Sequence, residues 1–197
     1  MLDQTLRRIR YNLANYQPPA LRFKASTSAA VAMILQPREN DLHLLFIHRA
    51  HHPQDPWSGH MAFPGGRKNH GDADLRKTVH RETKEEVGID LDLHGEYLGR
   101  MAELQAMSRG RPIDMTIEPF VYLVSSGVET KPDPMEVQDT IWVPLEFLQR
   151  DQVDSRAHRP MPDGKTIDVP ALVYGGKTIW GLTYQMLQEF LKLIAEE

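Results

Sequence analysis

Cysteine is absent from the 197-residue chain. That excludes disulfides, thiolate metal sites and a cysteine nucleophile, and it suits a cytoplasmic address. Long apolar runs are missing as well. The longest, Ala29 to Leu35, falls far short of the roughly 20 residues a membrane-spanning helix needs. The N-terminal arginines are accompanied by Asp3 and followed by no apolar segment, so no secretory signal is expected. Nor is there a basic block. With a formal net charge of −4, the chain lacks the cationic stripe that sequence-independent nucleic-acid binding requires. Neither nucleic acid nor membrane is an expected partner. A mildly acidic protein that handles phosphates must gather its cations at one place, from bound metal ions and a few Arg or Lys side chains.

What is present reads as one globular domain. Leu2, Leu6, Ile9 and Leu13 recur at helical spacing, predicting an amphipathic helix over 2–16 that packs on its own domain, the simpler reading, or on a partner. Residues 1–20 are thus a helix and linker, and 21–197 form the main domain. Ala29–Leu35 predicts a buried strand, and Leu42–Arg49 its hairpin partner. Ala50–Gly59, with two prolines and a glycine, must be a loop. A short strand at His60–Phe63 is stopped by Pro64-Gly65-Gly66. A helix over 73–87 buries Leu75, Val79, Thr83 and Val87, and Gly88 ends it. Strands follow near 97–104, 117–124 and 140–143, then a short helix at 145–149. Residues 151–176 read as an irregular excursion with room for a hairpin, before a closing helix over 181–195. The pattern is an α/β fold, a mixed sheet flanked by helices.

The chemistry is concentrated in 65–89, GGRKNHGDADLRKTVHRETKEEVGI. Glu82, Glu85 and Glu86 stand at i, i+3 and i+4, within one arc of a helix. Three carboxylates so close repel one another unless a cation sits among them. Hard divalent ions such as Mg²⁺ or Mn²⁺ take oxygen ligands of this kind. A bare E-x-x-E-E would be better read as a solvated face. Here Arg81 precedes the cluster and can hold the array through ion pairs. The Gly65-Gly66 turn lets backbone approach a metal or phosphate, and Gly88 closes the segment. The ordered combination is specific where each part is weak. By contrast, His48, His51, His52 and His60 lie close in sequence without any spacing that suits a zinc site.

This stretch resembles the Nudix box, G-x5-E-x7-R-E-U-x-E-E-x-G-U with U aliphatic. Gly66, Arg81-Glu82, Glu85-Glu86, Gly88 and Ile89 match it. Asp72 stands where the first Glu is expected, the gap to Arg81 is one residue longer, and Thr83 replaces the aliphatic residue. Asp72 is then expected to cap the helix N-terminus. The preceding segment, HLLFIHRAHHPQDPWSGHMAFPGG, is similar to that of coenzyme A diphosphatases in Leu44-Leu45, Arg49, Gly59 and Phe63-Pro64-Gly65-Gly66. The arginine expected in the loop after Arg49 is replaced by Asp55-Pro56-Trp57-Ser58.

The resemblance implies a Nudix-type α/β/α sandwich and a Mg²⁺- or Mn²⁺-dependent hydrolase that cuts a diphosphate linkage. It implies that Glu82 and Glu86 are the principal metal ligands, assisted by Glu85 and the Gly66 carbonyl. Arg81 orients the glutamates. Glu136 is the first candidate for a further base or ligand, with Glu129, Asp133 and Asp139 competing. Arg49 and Arg67 are candidate phosphate contacts. Coenzyme A and its derivatives lead the substrates; ADP-ribose, dinucleotides and nucleoside triphosphates follow. A sensor that binds a nucleotide metabolite without cutting it is the reading of another class. The chain is expected to be a monomer or homodimer.

Overall fold

The structure is a computed structural model that describes residues 2–21, 23–53, 55, 57–108, 110–150, 154–160 and 166–195. Helix α1 (Leu2–Asn15) precedes the strands β1 (Thr27–Arg38), β2 (Asp41–Arg49), β3 (Met61–Ala62) and β4 (Gly65–Arg67). Helices α2 (Leu75–Val87) and α3 (Leu91–His94) follow, then β5 (Gly95–Arg100), β6 (Leu104–Ser108), β7 (Arg111–Val124) and β8 (Val137–Pro144). The chain ends with α4 (Leu145–Leu148), β9 (Asp154–Pro160), β10 (Thr166–Tyr174), β11 (Lys177–Trp180) and α5 (Gly181–Ile194).

β1 is the axis of the main sheet. It pairs in parallel with β7, from Thr27 opposite Met115 to Leu35 opposite Leu123, and antiparallel with β2 and β4. β2 also carries β3 and β8, and β7 also carries β5 and β6, so the sheet is mixed. The β1–β2 hairpin closes on Glu39 and Asn40, both at positive φ (48° and 72°). Two left-handed residues in a two-residue loop match the twist of the strands, and Asn tolerates that conformation better than most.

The alternation of side chains along β1 produces three layers. Ala30, Ala32 and Ile34 join Val79 and Val87 of α2 in one buried cluster. Ala29, Met33 and Leu35 join Leu6, Ile9 and Leu13 of α1 and Leu187, Phe190 and Ile194 of α5 in the other. Helix α1 therefore packs on its own chain, and Asn12 and Arg10 fasten it further, to the Leu193 carbonyl and the Glu96 carboxylate. The fold is an α/β/α sandwich.

Three expectations need correction. Pro64-Gly65-Gly66 does not simply stop a strand, because Gly65–Arg67 themselves form β4 against Ala29–Val31. With no side chain on either glycine, backbone can lie flat on β1 where turn propensity alone suggested a loop. Residues 154–160 and 166–176 are not an irregular excursion, and the hairpin for which there was room is formed. β9 and β10 form an antiparallel hairpin that β11 extends to three strands, while 151–153 and 161–165 lie outside the described residues. Finally, the N-cap of α2 is Asp74, whose carboxylate accepts from Lys77 N at 2.8 Å. Asp72 lies too early and is engaged by side chains. At the other end Gly88 takes the left-handed C-cap conformation, φ 71°.

Phe46 is fully buried and stacks on Phe63, ring centroids 4.8 Å apart, just ahead of the glycine pair. Phe46→Ala should cost about 3–5 kcal/mol, read as a lower urea midpoint. A loss below about 1 kcal/mol would mean the two rings do not anchor this end of the sheet.

Candidate active site

Helix α2 carries its acidic residues at three depths. Glu86 falls on the buried stripe with Val79, Thr83 and Val87 and is 3% exposed. Glu82 sits at the edge of that stripe, and Glu85 turns outward. The buried carboxylate meets β4 directly. Gly65 N–H donates to Glu86 Oε2 at 2.7 Å. Gly65 itself has φ 150°, and a Cβ there would collide with the Ala30 carbonyl. A Cβ on Gly66 would run into the Glu82 carboxylate. Gly65 is thus required by how closely β4 lies on the backbone of β1, and Gly66 by how closely the Glu82 carboxylate presses on it.

Arg81 fixes the array from outside. Its Nε and Nη2 grip the two oxygens of Asp72 at 3.1 and 2.9 Å. Its Nη1 reaches Glu82 Oε1 and Glu85 Oε2, each at 2.9 Å, and Nη2 also donates to the Arg67 carbonyl. The Arg81 hydrogen bonds hold the Asp72 carboxyl well below the usual carboxylate range. Asp72 also accepts from Thr78 Oγ1 and Asn69 N, so it ties the loop before α2 to the helix.

Glu82, Glu86, Glu136, Gly65, Gly66, Arg49 and Arg67 all line one cavity of about 1320 Å³. Glu85 does not line it. Of the four loop acids considered, Glu136 lines it; Asp133 is used locally, accepting from Met135 N, and Asp139 approaches Lys177. Arg49 is not a plain surface ion pair: it is bound by Asp55 and approaches Glu86 Oε1 with Nη1 at 3.8 Å. His52 and His60 line the cavity, whereas His48 contacts Lys177. Sequence reasoning missed Asp55, Met107 and the strand β10, whose Ile167, Val169 and Pro170 belong to the wall. The acid in a proline-containing loop carried no periodic signal, and a β-hairpin in a polar stretch left only a weak one.

The donors fit a hard divalent cation. Two carboxylates and a glycine backbone supply oxygen alone, and such ions keep part of their shell for water and phosphates. Among the described residues no three His, Asp or Glu side chains form a ready-made metal cage. Electrostatics agree. Burial, with Glu82 and Glu136 adding negative charge, pushes the Glu86 carboxyl up to about 8 despite Gly65 N–H and Arg49. Burial likewise raises Glu82, in spite of Arg81. Carboxyl groups that hold a proton this tightly for want of counter-charge are ones where a bound cation can take the proton's place.

A NUDIX domain profile matches residues 26–163. The chain belongs to the Nudix family. It is 36% identical over 121 residues to an uncharacterized protein of Schizosaccharomyces pombe, covering 57% of this chain and 37% of that one. It is 26% identical over 158 residues to a human mitochondrial coenzyme A diphosphatase, covering 77% and 63%. A mouse peroxisomal coenzyme A diphosphatase is 28% identical over 130 residues, covering 66% and 52%. The chain thus spans less than two thirds of the length of each of these relatives. Among solved structures, the NUDIX domain of Shewanella oneidensis NrtR, complexed with ADP ribose, superposes with TM-score 0.53 and 20% identity over 94% of this chain and 97% of that one. That likeness is one of fold.

An acid whose folded-state pKa is raised loses stability as pH climbs from its ordinary value to the raised one, because the unfolded chain gives up the proton first. For Glu86 that window runs from 4.5 to about 8. In chelator at pH 8, Glu86→Gln should therefore melt higher than the wild type, by on the order of 2–4 °C, and the gap should close towards pH 5. Equal melting temperatures across that range would show that the buried charge costs nothing.

Proposed function

We propose that the chain is a divalent-metal-dependent hydrolase that cuts the diphosphate linkage of a nucleoside-diphosphate derivative, with coenzyme A and its derivatives as the leading substrates. The observation that carries this reading is the convergence of Glu82, Glu86, Glu136 and Arg49 on one cavity beside the Gly65-Gly66 strand. Glu82, Glu86 and the Gly66 carbonyl hold Mg²⁺ or Mn²⁺, and Glu85 assists from outside. When bound, the metal supplies charge neutralisation of the diphosphate and an activated water. Arg49 and Arg67 contact the phosphates, and Arg81 keeps the glutamates in register without touching substrate. Glu136, the exposed carboxylate opposite the α2 pair, takes the proton from the attacking water.

Coenzyme A is favoured by two supports. Two of the relatives are named coenzyme A diphosphatases. The cavity also extends from its acidic part to Trp57, Met107, Met115, Trp180 and Met186, an apolar lining that suits an extended, weakly polar arm beyond the nucleotide. The non-cutting sensor is disfavoured, because a binder of anions has no use for several carboxylates crowded around a phosphate.

Phosphorus-product analysis with Mg²⁺ or Mn²⁺ tests the reading on coenzyme A, ADP-ribose, a diadenosine polyphosphate, NADH and nucleoside triphosphates. The expected result is preferential release of an adenosine bisphosphate and a phosphopantetheine product from coenzyme A. Cleavage of another member alone would keep the hydrolase and reassign its substrate. Glu86→Gln should abolish turnover, a fall of at least about 10³-fold, without loss of fold. Unchanged activity in that variant would remove Glu86 from the site.

A further inference from the structure

One half of an ion pair inside the cavity, Asp55 against Arg49, is left without a role by that reading. Arg49 ends β2, and Asp55 lies in the loop that follows. Asp55 Oδ2 accepts from Arg49 Nε at 3.2 Å and from Nη2 at 2.7 Å, which occupies the side edge of the guanidinium. Nη1 stands on the far flank, 3.8 Å from Glu86 Oε1. Both side chains are mostly covered, 28% and 18% exposed.

Asp55 is fixed in turn. Its Oδ1 accepts Trp57 N–H at 3.0 Å, and its own N–H donates to the His52 carbonyl at 3.0 Å. Burial alone would raise its carboxyl, but the Trp57 N–H and the Arg49 fork outweigh it and hold Asp55 ionised, below its ordinary range. The loop is fastened at two points of the cavity wall. Ala50 N–H donates to the Glu136 carbonyl at 2.8 Å, and Trp57 Nε1–H donates to the Met107 carbonyl at 3.1 Å.

An arginine on the rim of a cavity holding Glu82, Glu86 and Glu136 would fall onto one of those carboxylates if nothing restrained it. A lone guanidinium in contact with Glu86 would neutralise the group that the metal needs. Asp55 prevents that collapse by taking one edge of the fork, and most of the N–H donors stay available to a bidentate phosphate.

The geometry points to Asp55 as a positioning residue: it holds the Arg49 guanidinium off Glu86 and presents its free edge to a phosphate of a bound nucleoside diphosphate. This rests on the proposed reading of the cavity as a diphosphate site. Asp55 acts only through Arg49, which separates it from a residue that merely stabilises the loop.

The test is a double-mutant cycle read by calorimetric titration of ADP in the presence of Mg²⁺. Asn at 55 keeps an oxygen for Trp57 N–H but cannot accept a charged fork. Asp55→Asn should weaken ADP binding about tenfold, the loss of one charge-assisted contact, and Asp55→Glu should recover most of it. In an Arg49→Ala background, Asp55→Asn should change nothing further. An equal loss in both backgrounds would make Asp55 a loop-stabilising residue and overturn the proposal. Tighter ADP binding by Asp55→Asn would overturn it too, since Asp55 would then be a competitor for the fork, and so would a wild type that does not bind ADP. Failure of the hydrolase reading looks different: no diphosphate on the panel is cut, while the ADP cycle keeps its pattern.

Discussion

A carboxylate buried without a full counter-charge is the constraint around which this molecule is arranged. Glu86 is 3% exposed, burial pushes its carboxyl up to about 8, and the Arg49 guanidinium stands off at 3.8 Å. A folded protein tolerates that only if neighbouring groups hold the carboxylate and something else supplies positive charge. The local architecture follows from this need. β4 contributes a backbone N–H, Gly65 lets that strand lie close on β1, and Gly66 leaves room for the Glu82 carboxylate. Arg81 gathers Asp72, Glu82 and Glu85 so that repulsion among the acids does not unwind the helix. The stability given up here is recovered in the apolar clusters on both faces of β1.

Much of this was legible in the sequence, for physical reasons that differ by element. Helices α1, α2 and α5 have apolar stripes of period 3.6, and their bounds fall within a residue or two of expectation. The centres of β1 and β2 were legible as apolar runs on either side of a polar turn, although β1 runs on to Thr27 and Arg38 and the turn itself is shorter than the polar stretch Pro37 to Asp41. β4 was not. Gly-Gly reads locally as a turn, and only the pairing with Ala29–Val31, distant in sequence, makes it a strand. The hairpin of β9 and β10 was half legible, since its polar, proline-containing strands owe their shape to each other more than to a buried face. Asp72 shows how a local rule yields to a longer-range one. Its position suited a cap, but the bidentate grip of Arg81 is the stronger partner, and Asp74 serves as the cap.

The acidic half of the site was legible because helical spacing fixes where i, i+3 and i+4 point. Their unequal depth was not: that Glu86 lies inside, Glu82 at the edge and Glu85 outside depends on the angle at which α2 rests on the sheet. The loop residues were the hardest. Asp55 and Trp57 join the cavity by hydrogen bonds to Arg49 and to the Met107 carbonyl, contacts that no periodicity announces. Their replacement of an expected arginine was visible, but its meaning appeared only when Asp55 was found against Arg49.

The parallel pairing of β1 with β7 has a consequence for the order in which the chain matures. Thr27 lies opposite Met115, so the centre of the sheet closes only after the intervening helices and strands have been made. Non-local pairing of this kind is slow, because loop-closure entropy is lost before contacts repay it. During synthesis the hairpin of β1 and β2 emerges early with an unpaired edge, and the glutamates of α2 are translated well before the wall formed by Met107, Met115 and Ile117. A nascent chain therefore carries Glu82 and Glu86 long before the cavity they line is complete.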